Sequence, residues 1–112
     1  MTLEEYTKFV QSETRQMIAH KLSAVEIDVL ALSNALGGEV GELQNVVKKI
    51  ISKNVFLIQS DLHENFVEEA GDVFWYLFRL ILQSGYNIET VLEENKKKLE
   101  LQYKSGEDKW RK

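Results

Sequence analysis

Two stretches of this chain place apolar side chains at steps of three and four: Leu36, Val40, Leu43, Val47, Ile50, then Phe66, Ala70, Val73, Leu77, Ile81. That spacing gathers each set on one side of an α-helix and does not match the alternation of a half-buried strand. The 112 residues contain no proline and only six glycines, so little interrupts long helices. Leu3, Tyr6, Val10, Met17 and Ile18 keep helical spacing and predict a first helix from residue 3 to about 20. The Leu36–Ile50 stripe predicts a second, from about 27 to 52. "SKNVFLIQSD" then reads as a connection with room for a short extra turn. Asp61 with Glu64 predicts a capping box opening the third helix, and Gly85 a C-terminal stop. Asn87 caps a fourth helix, with inward positions at Ile88, Val91 or Leu92, Asn95, Leu99, and Gln102 or Tyr103. The polar tail "SGEDKWRK", residues 105–112, is expected to fray, which leaves residues 1–104 as one all-α four-helix domain.

The lack of cysteine excludes disulfides and thiolate metal sites. A formal charge of −4 argues against a nucleic-acid partner, which calls for a basic face. The acidic, amphipathic start "MTLEEYTKFV" is unlike a secretory signal, and "VFWYLFRLIL" at 73–82 is too short and too interrupted, by Arg79, to span a membrane. A cytoplasmic protein is expected. Phe74, Trp75 and Phe78 lie outside the third helix's main stripe, so that helix is apolar on more than one side. Such a helix needs cover on several sides, and four helices of this size do not supply it alone; self-association is expected.

The chemistry lies in a repeat. "EVGEL" at 39–43 returns thirty residues later as "EAGDV" at 69–73. At about 100° per residue, Glu39 and Glu42 sit near −60° and −120° from Leu36, and Glu69 and Asp72 sit at those same angles from Phe66. Both pairs therefore border their stripes on the same flank, whereas Glu68 points away and reads as solvated. If the second and third helices pack antiparallel, the pairs face each other across one groove. Four carboxylates held there would repel and raise one another's pKa values, and a bound cation would remove that penalty. Oxygen ligands without cysteine point to Mg²⁺, with Mn²⁺ as a substitute. A di-iron bundle would need Glu-x-x-His motifs, which are absent: Met17 and Ser60 stand three before His20 and His63. Those histidines read as solvent-facing or loop residues, and Gly41 as room for a neighbouring helix.

At these residues the chain resembles the MazG-like all-α nucleoside triphosphate pyrophosphohydrolases. Their signature, ExxE then ExxD after a variable spacer, is matched by Glu39-Val-Gly-Glu42 and Glu69-Ala-Gly-Asp72. "EEAGDVFWYL" resembles the family's second metal helix and "NKKKLELQY" its Asn-x-x-Lys-Leu ending. Gly38 and Gln102 depart from it, where members often carry glutamate and arginine. The resemblance implies Mg²⁺-dependent hydrolysis of (d)NTPs between the α and β phosphates, giving (d)NMP and pyrophosphate. The ligands would be Glu39, Glu42, Glu69 and Asp72, with Glu39 or Glu42 taking the proton of an attacking water. Asn95 and Lys98 are implied substrate contacts; Lys49, beside Lys48 and Lys53, is a candidate phosphate partner, and Trp75 or Tyr76 could stack on a base. Short members assemble as dimers or tetramers. Two other readings are the same fold acting on a different pyrophosphate substrate, such as phosphoribosyl-ATP, and a non-catalytic helical self-assembly module.

Overall fold

The computed structural model describes residues 1–13, 17–18, 20–53 and 61–104, and every regular element among them is helical. Helix α1 spans Leu3–Glu13, α2 Ala24–Lys53, α3 Leu62–Gln83 and α4 Ile88–Lys104. The predicted all-α class and four helices are found.

Local hydrogen bonds explain where three of these helices begin. At α1 the Glu5 N–H donates to Thr2 Oγ1 and the Thr2 N–H to Glu5 Oε2, both at 3.1 Å. At α2 the Glu26 N–H donates to Ser23 Oγ at 3.1 Å and the Ser23 N–H to Glu26 Oε1 at 3.0 Å. Both are reciprocal capping boxes, satisfying backbone donors that a helix start leaves open. Asn87 Oδ1 accepts from the Thr90 N–H at 3.2 Å and caps α4 as expected. The end of α3 also follows expectation: Gly85 has φ 85°, its N–H donates to Leu82 O at 3.0 Å, and Tyr86 N–H donates to Ile81 O at 3.1 Å. This paired closure needs a left-handed residue, which glycine adopts without strain.

Other boundaries differ from expectation. The described part of α1 ends at Glu13, and Met17 and Ile18 are not helical. The start of α2 lies three residues earlier than predicted, because the Ser23–Glu26 box sets it. Asp61 is already helical, at φ −59° and ψ −22°, and its side chain makes no capping hydrogen bond, so the predicted box with Glu64 does not form. Ser52 and Lys53 complete α2, whereas residues 54–60 of the predicted connection and the tail 105–112 lie outside the described residues.

Helices α2 and α3 pack antiparallel and hold nearly all the buried surface. Val46 and Ile50 of α2 meet Leu62 and Phe66 of α3 at one end, and Leu32 is buried towards the other. The covered face of α2 runs through Leu32, Leu36, Glu39, Leu43, Val46 and Ile50, and that of α3 through Leu62, Phe66, Glu69, Val73, Tyr76 and Leu80. Both follow the alternating three–four rhythm of helices that interlock side chains along a shared seam. The predicted α2 stripe is thus rotated: Val40 and Val47 stay 39% and 41% exposed, while Glu39 and Val46 turn inward. The predicted α3 residues Ala70, Leu77 and Ile81 are half-buried, and Glu68 is exposed, both as expected.

Helices α1 and α4 contain no buried residue. Ile88, Leu99 and Gln102 are half-buried, but Leu92, Tyr103 and Asn95 are exposed, so Asn95 is not inward in the single chain. The physical reason is that α4 packs little against α3, leaving its apolar face open along most of its length. Phe74, Trp75 and Phe78 on α3 are open as well. The radius of gyration, 20.2 Å, far exceeds the roughly 13 Å of a closed domain this long.

Candidate active site

Between the two apolar ends, the α2–α3 seam carries acid in place of hydrocarbon. Glu39 and Glu69 each occupy a seam position and are half-buried, while Glu42 and Asp72, one turn further along each helix, are exposed. One carboxylate oxygen from each of Glu39, Glu69 and Asp72 lies within 4.8 Å of the others. Glu42 stands outside that trio, yet its charge acts on Glu69. The two sequence pairs thus meet as two inner and two outer carboxylates.

The electrostatics follow from that placement. Loss of hydration raises the Glu69 carboxyl above the usual carboxylate range, and the charges of Glu39, Glu42 and Asp72 push it further. The protonated Glu69 can donate a hydrogen bond to Glu39, which raises it again. Burial and like charge both disfavour the anion, and no cause that favours it is found among the described residues. A divalent cation would supply that compensation. Three convergent carboxylates with no nitrogen or sulfur donor among them suit a hard, oxygen-loving ion, so these residues fit a divalent metal.

A cavity of about 520 Å³ opens beside the acids, lined by Glu39, Gly71, Asp72, Trp75 and Tyr76. Gly41 and Gly71 would each leave an added Cβ with nothing within 4 Å, so the neighbouring helix expected at Gly41 is not found among the described residues. The Trp75 and Tyr76 rings meet edge to face at 4.8 Å between centroids, and the Arg79 guanidinium lies 4.8 Å over the Trp75 ring. Sequence reading singled out Trp75 and Tyr76 but missed Arg79. Its position seven residues after Asp72, two turns along the same face, was the available signal. Lys49, Asn95 and Lys98 are exposed and do not line this cavity.

A larger groove of about 580 Å³, near Ile18, Leu22, Val29 and Tyr86, is chiefly apolar. Its carboxylate, Glu26, is already committed to the α2 cap, which holds it down to about 2: the Ser23 backbone hydrogen bond contributes most, then His20. Among the described residues no convergent chemistry is found there. His20 is exposed as expected, with Nε2 3.0 Å from Glu26 Oε2. His63 departs from expectation: it is half-buried at the start of α3, and its Nδ1 is buried with no hydrogen-bond partner among the described residues.

The described helices include none long and apolar enough to cross a membrane. The chain is similar to Gene 37 protein of Mycobacterium phage L5, 37% identical over 65 residues, which cover 58% of this chain and 57% of that protein. The aligned region thus spans little more than half of that relative. No solved structure matches the chain. The sequence profile of the MazG nucleotide pyrophosphohydrolase domain matches residues 27–105, which include both carboxylate pairs, Trp75, Tyr76 and the whole of α3 and α4. That match takes in well over half of the sequence, and the chain belongs to the MazG nucleotide pyrophosphohydrolase domain family.

Proposed function

We propose that this protein is a Mg²⁺-dependent nucleotide pyrophosphohydrolase of the cytoplasm, cleaving (d)NTPs between the α and β phosphates to (d)NMP and pyrophosphate. The observation that carries the reading is the meeting of Glu39, Glu69 and Asp72 within 4.8 Å, inside the region matched by the family profile. Glu39, Glu69 and Asp72 would hold the ion, with Glu42 completing the set. A bound Mg²⁺ would neutralise phosphate charge and lower the pKa of the attacking water. Glu42, exposed and outside the trio, is the carboxylate best placed to take the water's proton, with Glu39 the other candidate. The half-buried seam limits hydration around Glu39 and Glu69, so their charges act strongly on whatever enters the cavity. Trp75 and Tyr76 form its aromatic wall. Phosphoryl transfer rests on positioning and charge stabilisation, so no side-chain nucleophile is required.

The working unit is a homo-oligomer built from residues 1–104. Cover for Phe74, Trp75, Phe78 and the open face of α4 comes from a second copy. Asn95 and Lys98 become substrate contacts once α4 docks in that assembly, and Lys49 serves the phosphate tail.

A panel of the eight common NTPs and dNTPs with Mg²⁺, read for pyrophosphate, tests the activity. Pyrophosphate and a monophosphate are expected. Silence across the panel, or orthophosphate alone, overturns the assignment.

A further inference from the structure

A second cavity adjoins the acidic one and shares Tyr76 as a wall. It measures about 320 Å³, and its polar groups are Asp28 of α2 and Arg79 and Gln83 of α3, over a floor of Ala31, Leu32 and Ala35. Its place follows from the antiparallel seam. Stepping from Glu39 back along α2 reaches Ala35, Leu32 and Asp28, while stepping forward from Asp72 along α3 reaches Tyr76, Arg79 and Gln83. Asp72 to Arg79 is two helical turns, about 10 Å at about 1.5 Å per residue. That is the reach of one nucleoside from its α-phosphate.

The polar groups there are unspent. Among the described residues neither the Asp28 carboxylate nor the Gln83 amide has a hydrogen-bond or ion-pair partner. Among the described residues the Arg79 guanidinium interacts with the Trp75 ring alone, which steadies the plane without using its N–H donors. A carboxylate only accepts hydrogen bonds and a guanidinium only donates them. Together they match a flat ring carrying an amino group at one place and a carbonyl at another. Small residues below and Tyr76 beside leave a slot for such a ring.

We propose that this second cavity receives the nucleobase, and that Asp28 and Arg79 select bases bearing both an amino and a carbonyl group, guanine or cytosine. The inference rests on the nucleotide reading given above. Asp28 accepts from the amino group, Arg79 donates to the carbonyl, and Gln83 serves whichever ring edge remains. Adenine lacks the carbonyl, and thymine and uracil lack the amino group.

The test compares kcat/KM of the full-length protein for all eight nucleotides, with ITP added because it is GTP without the amino group. GTP and dGTP, or CTP and dCTP, should lead by roughly tenfold or more, the discrimination expected of one good paired contact. If guanine leads, Asp28→Ala should erase the advantage of GTP over ITP; if cytosine leads, that of CTP over UTP. Arg79→Ala should lower the preferred nucleotide most, with Arg79→Lys recovering part of the loss. Both positions are exposed, and circular dichroism checks that the variants fold. Equal turnover of all bases, an adenine or thymine preference, or an unchanged preference in Asp28→Ala overturns the base assignment and leaves the pyrophosphohydrolase reading standing. No turnover of any nucleotide overturns both.

Discussion

Helices α3 and α4 invite comparison, because adjacent segments of one chain use their apolar residues in opposite ways. Along α3, Leu62, Phe66, Val73, Tyr76 and Leu80 turn toward α2, and Glu69 sits among them. Along α4, Leu92, Leu101 and Tyr103 remain 60–69% exposed, and Asn95 lies open beside them. The α3 face has a partner within the chain, so its carboxylate is desolvated and raised. Among the described residues the α4 face has little cover, and Asn95 stays exposed. A stripe of given hydrophobicity therefore becomes a core or an open surface depending on what lies opposite.

The strongest way to break this contrast is at the seam acids. Glu39→Gln or Asp72→Asn should reduce Mg²⁺-dependent turnover by roughly 100-fold or more. The helical circular dichroism should remain. Asn95→Ala should leave the cation site intact and act on substrate affinity instead. Initial rates with Mg²⁺ titrations separate the two, and full activity in Asp72→Asn would break the contrast.

The open surface can be tested next. Phe78→Asp places a charge on the uncovered side of α3, away from the acids. It should convert the assembly to monomers in light scattering at micromolar concentration, whereas a wild type that is itself monomeric would refute the second copy.

Thermal melting sharpens the electrostatic side. A carboxyl raised in the folded state favours folding while protonated, so its contribution is lost as pH rises through the raised value. Metal-free protein should therefore melt at falling temperature as pH climbs above 4.5, the ordinary glutamate value. Saturating Mg²⁺, at about 100 times its dissociation constant, should add about 2.7 kcal/mol and flatten that trend. Glu69→Gln should stabilise the metal-free form. Glu26 works with the opposite sign: its stabilisation is present above its unfolded value of 4.5 and fades as pH falls toward about 2.

The smallest effect expected is at the α2 cap. Ser23→Ala should cost about 1 kcal/mol in chemical denaturation without changing kcat. It marks the stability of the seam's far end, remote from the chemistry.

Much of this was legible in the residues. The four helices, the Asn87 cap and the Gly85 stop follow from periodicity and turn chemistry, because these act over a few bonds. The reciprocal boxes at Thr2–Glu5 and Ser23–Glu26 carried the same kind of signal and went unread. Asp61 offered the right letters, but its backbone is helical where a cap must be extended.

Periodicity and spacing account for the helices, the two carboxylate pairs and the resemblance they carry. Packing of α2 on α3 selects which member of each pair enters the seam. Val40 and Val46 both continue an apolar run on α2, so periodicity permits two neighbouring faces. Packing against α3 chose the face with Val46, and Glu39 turned inward with it. It also brought Asp28 and Arg79, fifty-one residues apart, into one cavity. No local pattern encodes that meeting, because it depends on the antiparallel register of two helices rather than on either one.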